Sequence, residues 1–195
     1  LRGHLGIPSC KCKWSGLDRG SYVLILKQLG ANLEQLPKLS RSELPCKTVV
    51  MLGIQMFNKV EFAHSRGVIL RDTKPENFVM GVGEKSHIVY LFDFGLVKLY
   101  VDPSTGTHKP YREDRVALRT MPYSSYNVHF GQAEQGRRDD LEALGNVLLY
   151  LLHGRLPWED IYPPNKEAKL SLQWFEVRSN DLFGRRLVGV SKLTG

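Results

Sequence analysis

Four polar residues near the middle of the chain are spaced for chemistry. Within Leu70-Arg71-Asp72-Thr73-Lys74-Pro75-Glu76-Asn77, Lys74 stands two positions and Asn77 five positions after Asp72. Twenty-one positions after Asp72 comes Asp93, the first residue of Asp93-Phe94-Gly95. A carboxylate such as that of Asp72 can accept the proton of an attacking hydroxyl. Asn77 and Asp93 offer hard oxygen atoms of the kind magnesium takes when it bridges phosphates. Lys74 can set a positive charge where negative charge lies on a transferred group. Together they are the parts of a phosphoryl transfer, which depends on positioning and charge stabilisation. Asp-Phe-Gly alone is a common turn tripeptide. The two motifs in this order, separated by a short hairpin, are far more specific.

The elements that must position these residues are legible around them. From Cys46 onward, Val49, Leu52, Met56, Val60 and Ala63 recur at steps of three and four, which predicts a helix with one apolar stripe, stopped by Gly67. Val68-Ile69-Leu70 reads as a short strand delivering Arg71 and Asp72 into a loop. Phe78-Val79-Met80 and Ile88 to Phe92 read as a hairpin through Gly81-Val82-Gly83-Glu84, which folds Asp93 back beside Asp72 and Asn77. Arg137-Arg138-Asp139-Asp140 precedes a second helix with Leu141, Leu144, Leu148 and Leu151 on its stripe, closed by His153-Gly154. Upstream, the β-branched and apolar run Ser21 to Leu26 predicts a buried strand, and a short helix starts around Asn32 to Leu36. Leu96 to Tyr126 is long, polar and uneven, in the manner of a functional loop.

Bulk properties narrow the class. At 195 residues the chain can bury a real core, and its composition is that of an ordinary globular protein. Three cysteines, with only Cys10 and Cys12 close together, give no disulfide framework and point to a reducing compartment, cytoplasmic or nuclear. The start lacks the layout of a signal peptide, and the longest apolar stretch, Val147 to Leu152, falls far short of a membrane span. A net charge of +7 attracts anions, but Lys and Arg are scattered without an aromatic-interleaved run. An acidic or phosphorylated protein fits as partner better than nucleic acid, and an ordinary solvated basic surface explains the charge equally.

Read with the segments around them, these motifs resemble the large lobe of a casein kinase I-type Ser/Thr protein kinase. The segments are His4-Leu5-Gly6-Ile7-Pro8, Leu29-Gly30-Ala31-Asn32-Leu33-Glu34, Lys74 to Gly81, Pro110-Tyr111-Arg112, Arg137 to Gly145, and Leu156-Pro157-Trp158, all collinear. The resemblance implies an α+β, mainly α fold: a truncated kinase-like large lobe with its hinge over residues 1–161, followed by a divergent tail over 162–195. It implies ATP and Mg2+ as cofactors and transfer of the γ-phosphate to Ser or Thr of a protein. By resemblance Asp72 is the catalytic base, Lys74 the phosphate-contacting lysine, and Asn77 and Asp93 the metal-binding pair. Leu26 lines the back of the adenine pocket, and Lys27 to Leu29, ending on Leu29, form the hinge that holds adenine. Thr120 resembles the threonine that steadies base and lysine. Asp140 resembles the buried acid tying the second helix to the catalytic loop, although its own position equally suits a plain helix cap.

Three departures stand out. The histidine that usually precedes Arg-Asp is Leu70, an apolar residue able to fill the same space. Where the family reads Gly-Thr-Ala-Arg-Tyr, this chain has Arg119-Thr120-Met121-Pro122-Tyr123, without the arginine that helps bind an anionic substrate group. No glycine-rich phosphate loop, strand lysine or partner glutamate is present ahead of the hinge. The expectation is a lobe lacking the roof of its ATP site and a slow enzyme, with a non-catalytic, kinase-like protein-binding module as the alternative.

Overall fold

In a computed structural model, the chain is described over residues 14–25, 28–40, 44–110, 122–125, 127–128 and 134–156. It divides into two compact units, Leu1–Gly154 and Arg155–Gly195, and the elements below belong to the first. The expected roles of Leu26, Lys27, Thr120 and the 162–195 tail fall outside the described residues.

Among the described residues the first unit is α+β, with helices over 36–40, 46–65 and 137–153 and three separate two-stranded antiparallel sheets. Strands β1 (Trp14–Asp18) and β2 (Ser21–Ile25) form a hairpin with Asp18 opposite Ser21. Arg19 and Gly20, at φ 48° and 81°, make the two-residue turn, whose left-handed residues match the twist of the strands. Trp14–Asp18 carries no β signal of its own and becomes a strand through pairing, while Ser21–Ile25 is the predicted strand, paired in this hairpin with Ser21 exposed and Val23 half-buried.

Helix α1 (Leu36–Ser40) starts later than the pattern at Asn32 suggests. Asn32 instead forms a reciprocal cap with Gln35: its Oδ1 accepts from the Gln35 amide at 3.0 Å, and Gln35 Oε1 accepts from the Asn32 amide at 3.3 Å. Helix α2 (Cys46–Ser65) follows the predicted stripe, with Val49, Leu52, Met56, Val60 and Ala63 all buried. It stops where Gly67, at φ 74°, donates to the His64 carbonyl at 2.9 Å; a Cβ on Gly67 would lie 3.2 Å from that of Val101.

Helix α3 (Arg137–His153) contains Arg137–Asp140 rather than following them. The Gly136 amide donates to Asp139 Oδ2 at 2.7 Å, and Gly154, at φ 69°, closes the other end. Its buried face is also turned from the predicted one: Ala143, Leu144, Val147, Tyr150 and Leu151 face inward, while Leu141 is 43% exposed. The inward position of Asp140 sets this phase, since 140, 144, 147 and 151 keep helical spacing. Helices α2 and α3 pack together, closely where Gly53 faces Leu148: a Cβ there would stand 3.1 Å from Leu148 Cδ2.

Strand β3 (Val68–Ile69) pairs with β6 (Lys98–Leu99), and β4 (Phe78–Met80) with β5 (Val89–Leu91), the second as expected. Gln55 ties α2 to β5, donating to the His87 carbonyl and accepting from the Val89 amide at 2.9 Å. Within the uneven 96–126 stretch, the described residues 96–110 hold a strand, a bridge and a turn. A bridge between Val101 and His108 follows β6, and the turn between them is capped by Asp102, whose carboxyl the Ser104 hydroxyl and amide hold below its usual pKa. Among the described residues, no helix is long and apolar enough to cross a membrane.

Two glycines separate close packing from mere backbone freedom. A Cβ at Gly30 would meet the backbone oxygens of Gly81 and Met80 at 2.9 and 3.2 Å, whereas one at Gly145, inside α3, would meet nothing within 4 Å. Gly30→Ala is expected to cost ~1–3 kcal/mol and Gly145→Ala to stabilise by ~0.5–1 kcal/mol, opposite signs that urea unfolding reads directly.

Lys59 carries a pH signature. It lies on the inner face of α2, 4% exposed, and desolvation lowers its pKa from the ordinary 10.5. The unfolded chain holds this proton more tightly, so charged Lys59 costs stability below the folded-state pKa, and the cost fades as pH climbs towards 10.5. The melting-temperature advantage of Lys59→Met over the parent should therefore be largest at neutral pH and shrink over that alkaline window.

Candidate active site

The loop after β3 is held from beneath by one carboxylate. Asp140, 2% exposed in the first turn of α3, accepts from three donors: the Leu70 amide (2.8 Å) and His64 Nε2 (2.8 Å) at Oδ2, and the Arg71 amide (2.8 Å) at Oδ1. A carboxylate only accepts, so His64 Nε2 carries the proton in this bond. Asp140 thus links the end of α2, the start of α3 and the backbone entering the loop. Asp139 beside it does the capping, and its Oδ1 also accepts from Ser125 Oγ at 2.6 Å and Asn127 Nδ2 at 3.2 Å. Successive helix residues point about 100° apart, which is why two adjacent aspartates do two different jobs.

Arg71 sits at φ 67°, a conformation that costs a non-glycine residue about 1–2 kcal/mol. Its surroundings over-determine it. The amide is fixed by Asp140, Nε donates to the Leu96 carbonyl at 2.6 Å, and its own carbonyl accepts from Gln135 Nε2 at 3.2 Å. Leu70, in the place of the usual histidine, is buried.

Beyond this strained residue Asp72, Lys74 and Asn77 converge. Lys74 Nζ lies 2.8 Å from Asp72 Oδ2. Asn77 Nδ2 donates to the same oxygen at 3.0 Å and to the Asp72 carbonyl at 2.8 Å, closing the loop on itself. Pro75–Asn77 form a single 3-10 turn, which brings residue 77 back under residue 72. Asn77, 6% exposed, is held rigidly, and with its nitrogen engaged, Oδ1 is the atom with capacity for a ligand.

Asp93 reaches this neighbourhood through the β4–β5 hairpin. The Phe92 amide donates to the Asn77 carbonyl at 2.7 Å, so Asp93 follows a residue tethered to Asn77. Asp93 is a second strained position, at φ 65°, and its Oδ1 accepts from the Gly95 amide at 2.9 Å. Asn77 and Asp93 thus present hard oxygen atoms of the type magnesium takes. Among the described residues no group of three or more His, Cys, Asp or Glu side chains could hold a metal. Magnesium keeps most of its shell as water, so Asn77 Oδ1 and Asp93 would be enough protein ligands if they held it.

Of the positions the resemblance assigns to adenine, Leu29 is described and is half-buried. The segment after it runs alongside β4: the Gly30 amide donates to the Met80 carbonyl, and the Met80 amide to the Ala31 carbonyl, each at 2.8 Å. Leu29 is therefore joined through one strand to Asn77. Sequence reasoning missed His64, Gln135 and Ser125. His64 left one trace, a polar residue four positions after Val60 on an otherwise apolar stripe.

Removing the carboxylate leaves three buried donors without their acceptor. Asp140→Ala is expected to cost about 3–5 kcal/mol, read as a lowered urea midpoint, because the bonds lost are charge-assisted and buried.

The protein kinase domain family aligns with residues 17–182 of the chain. The aligned stretch takes in the strained loop, the Asp72–Lys74–Asn77 cluster, Asp93 and both large helices. With most of its length under that match, the chain belongs to the protein kinase domain family.

Proposed function

We propose that the protein is a Ser/Thr protein kinase of casein kinase I type, transferring the γ-phosphate of ATP to Ser or Thr of a protein substrate. The observation that carries this reading is the convergence of Asp72, Lys74 and Asn77 on one loop, with Asp93 tethered next to it. In this reading the substrate hydroxyl gives its proton to Asp72 as its oxygen forms a bond to the γ-phosphorus, and the bond to the ADP oxygen breaks. Lys74, held within 2.8 Å of Asp72, has its charge where the transferred group accumulates negative charge. Asn77 Oδ1 and Asp93 would hold magnesium, which neutralises phosphate charge when bound. Asn77 Nδ2 orients the carboxylate of Asp72 meanwhile.

The casein kinase I assignment rests on the collinear segments Lys74 to Gly81 and Arg137 to Gly145. An acidic protein as substrate is supported by a cleft next to the loop. Lys98, His108, Lys109 and Arg137 line it, together with Glu134, which pairs with Lys98, and Gln135, which bonds the Arg71 carbonyl. With Lys98 offset by Glu134, the charges of Lys109 and Arg137 leave this wall net positive, which favours negatively charged segments.

The test is phosphate transfer from γ-labelled ATP with magnesium to an acidic protein, followed by identification of the labelled residue. The parent chain should label Ser and Thr, and Asp72→Asn should lower the rate by about 10²–10⁴. Label on tyrosine would overturn the Ser/Thr assignment. A parent rate no higher than that of Asp72→Asn would overturn the enzyme reading and favour a kinase-like binding module.

A further inference from the structure

Directly after Asp72 stands a hydroxyl in an unusual setting. Thr73 is 5% exposed, and its Oγ1 is buried without a hydrogen-bond partner. It lines a small polar cavity between the loop and the start of α3, together with Asp139, Asp140, Ser125 and Gln135. The space open to the centre of a water molecule there is about 10 Å³, close to the ~10–15 Å³ that one water needs.

The chemistry of the walls is complementary but not in contact. A threonine hydroxyl has a proton to donate, while carboxylates only accept, with about four lone-pair sites each. Asp139 accepts three bonds and Asp140 three. Each therefore retains about one site. A water accepts one bond and donates two, so a single molecule satisfies the hydroxyl on one side and the carboxylates on the other. We propose that this cavity is a binding site for one structural water, accepting from Thr73 Oγ1 and donating to Asp139 and Asp140. It forms a second bridge from α3 to the loop, beside the direct bonds of Asp140 to residues 70 and 71.

Thr73→Val separates this arrangement from its alternative. Valine keeps the shape and removes the hydroxyl. A hydroxyl buried with no partner is a burden, so its loss would leave stability equal or raised. A hydroxyl that binds a bridging water contributes, so its loss lowers stability. The expectation is a fall of roughly 2–4 °C in the melting temperature of the 195-residue protein with Thr73→Val, and little change with Thr73→Ser. A high-resolution crystal structure of the parent should show one water within hydrogen-bond distance of Thr73 Oγ1. A cavity without density in that crystal, or a Thr73→Val protein melting at or above the parent, overturns the proposal. Neither readout requires catalysis, so failure of the kinase reading would leave this test intact.

Discussion

The carboxylate of Asp140 is the constraint on which the rest of the first unit turns. Taking a charge out of water costs several kcal/mol, so an aspartate 2% exposed persists only if its surroundings compensate. Two backbone amides and one imidazole do so, and the positive end of the α3 dipole adds to them. The geometry that results is stiff. Apolar helix faces such as those of α2 and α3 tolerate small shifts, because dispersion contacts are weakly directional. A buried charge fixed by donors from two other segments does not.

Consequences run outward from that point. With residues 70 and 71 pinned, Arg71 is kept at positive φ, and the chain leaves β3 at the angle that puts Asp72 over Asn77. Strain recurs at Asp93; of the non-glycine residues described at positive φ, Arg19 lies in the β1–β2 turn, while Arg71 and Asp93 lie in the Arg-Asp loop and the Asp-Phe-Gly motif. Such strain persists where several interactions fix the backbone together, as the three bonds of Arg71 do. The β4–β5 hairpin completes the frame. Its first strand borders the Gly30–Leu33 segment, and a Phe92–Asn77 bond ties its far end to the loop.

Much of this frame is legible along the chain. The stripe of α2 is long and regular enough to define the helix and its buried face, and Gly67 and Gly154 mark both helix ends. The 78–91 hairpin reads from its alternation and its glycines. Illegible parts share a cause. Strand β6 is two residues long, too short to leave a period, and β1 owes its form to the partner across the turn. The phase of α3 eluded the apolar pattern because a polar residue leads the buried face, and leucines at 141 and 148 suggested another face. His64 and Gln55 find their partners 76 and 32 to 34 residues away, beyond any local rule.

By itself the sequence determined the inventory and its order: an acid, a lysine and an asparagine on one loop, a second acid after a hairpin, and two helices to carry them. It did so because spacing, periodicity and turn chemistry act between near neighbours in the chain. Only the tertiary structure decided which atom meets which. It directs the Asn77 nitrogen to Asp72, makes Asp139 the cap and Asp140 the anchor, and brings His64 to that anchor. Those outcomes depend on where buried charge finds donors, and the donors come from segments far apart in sequence.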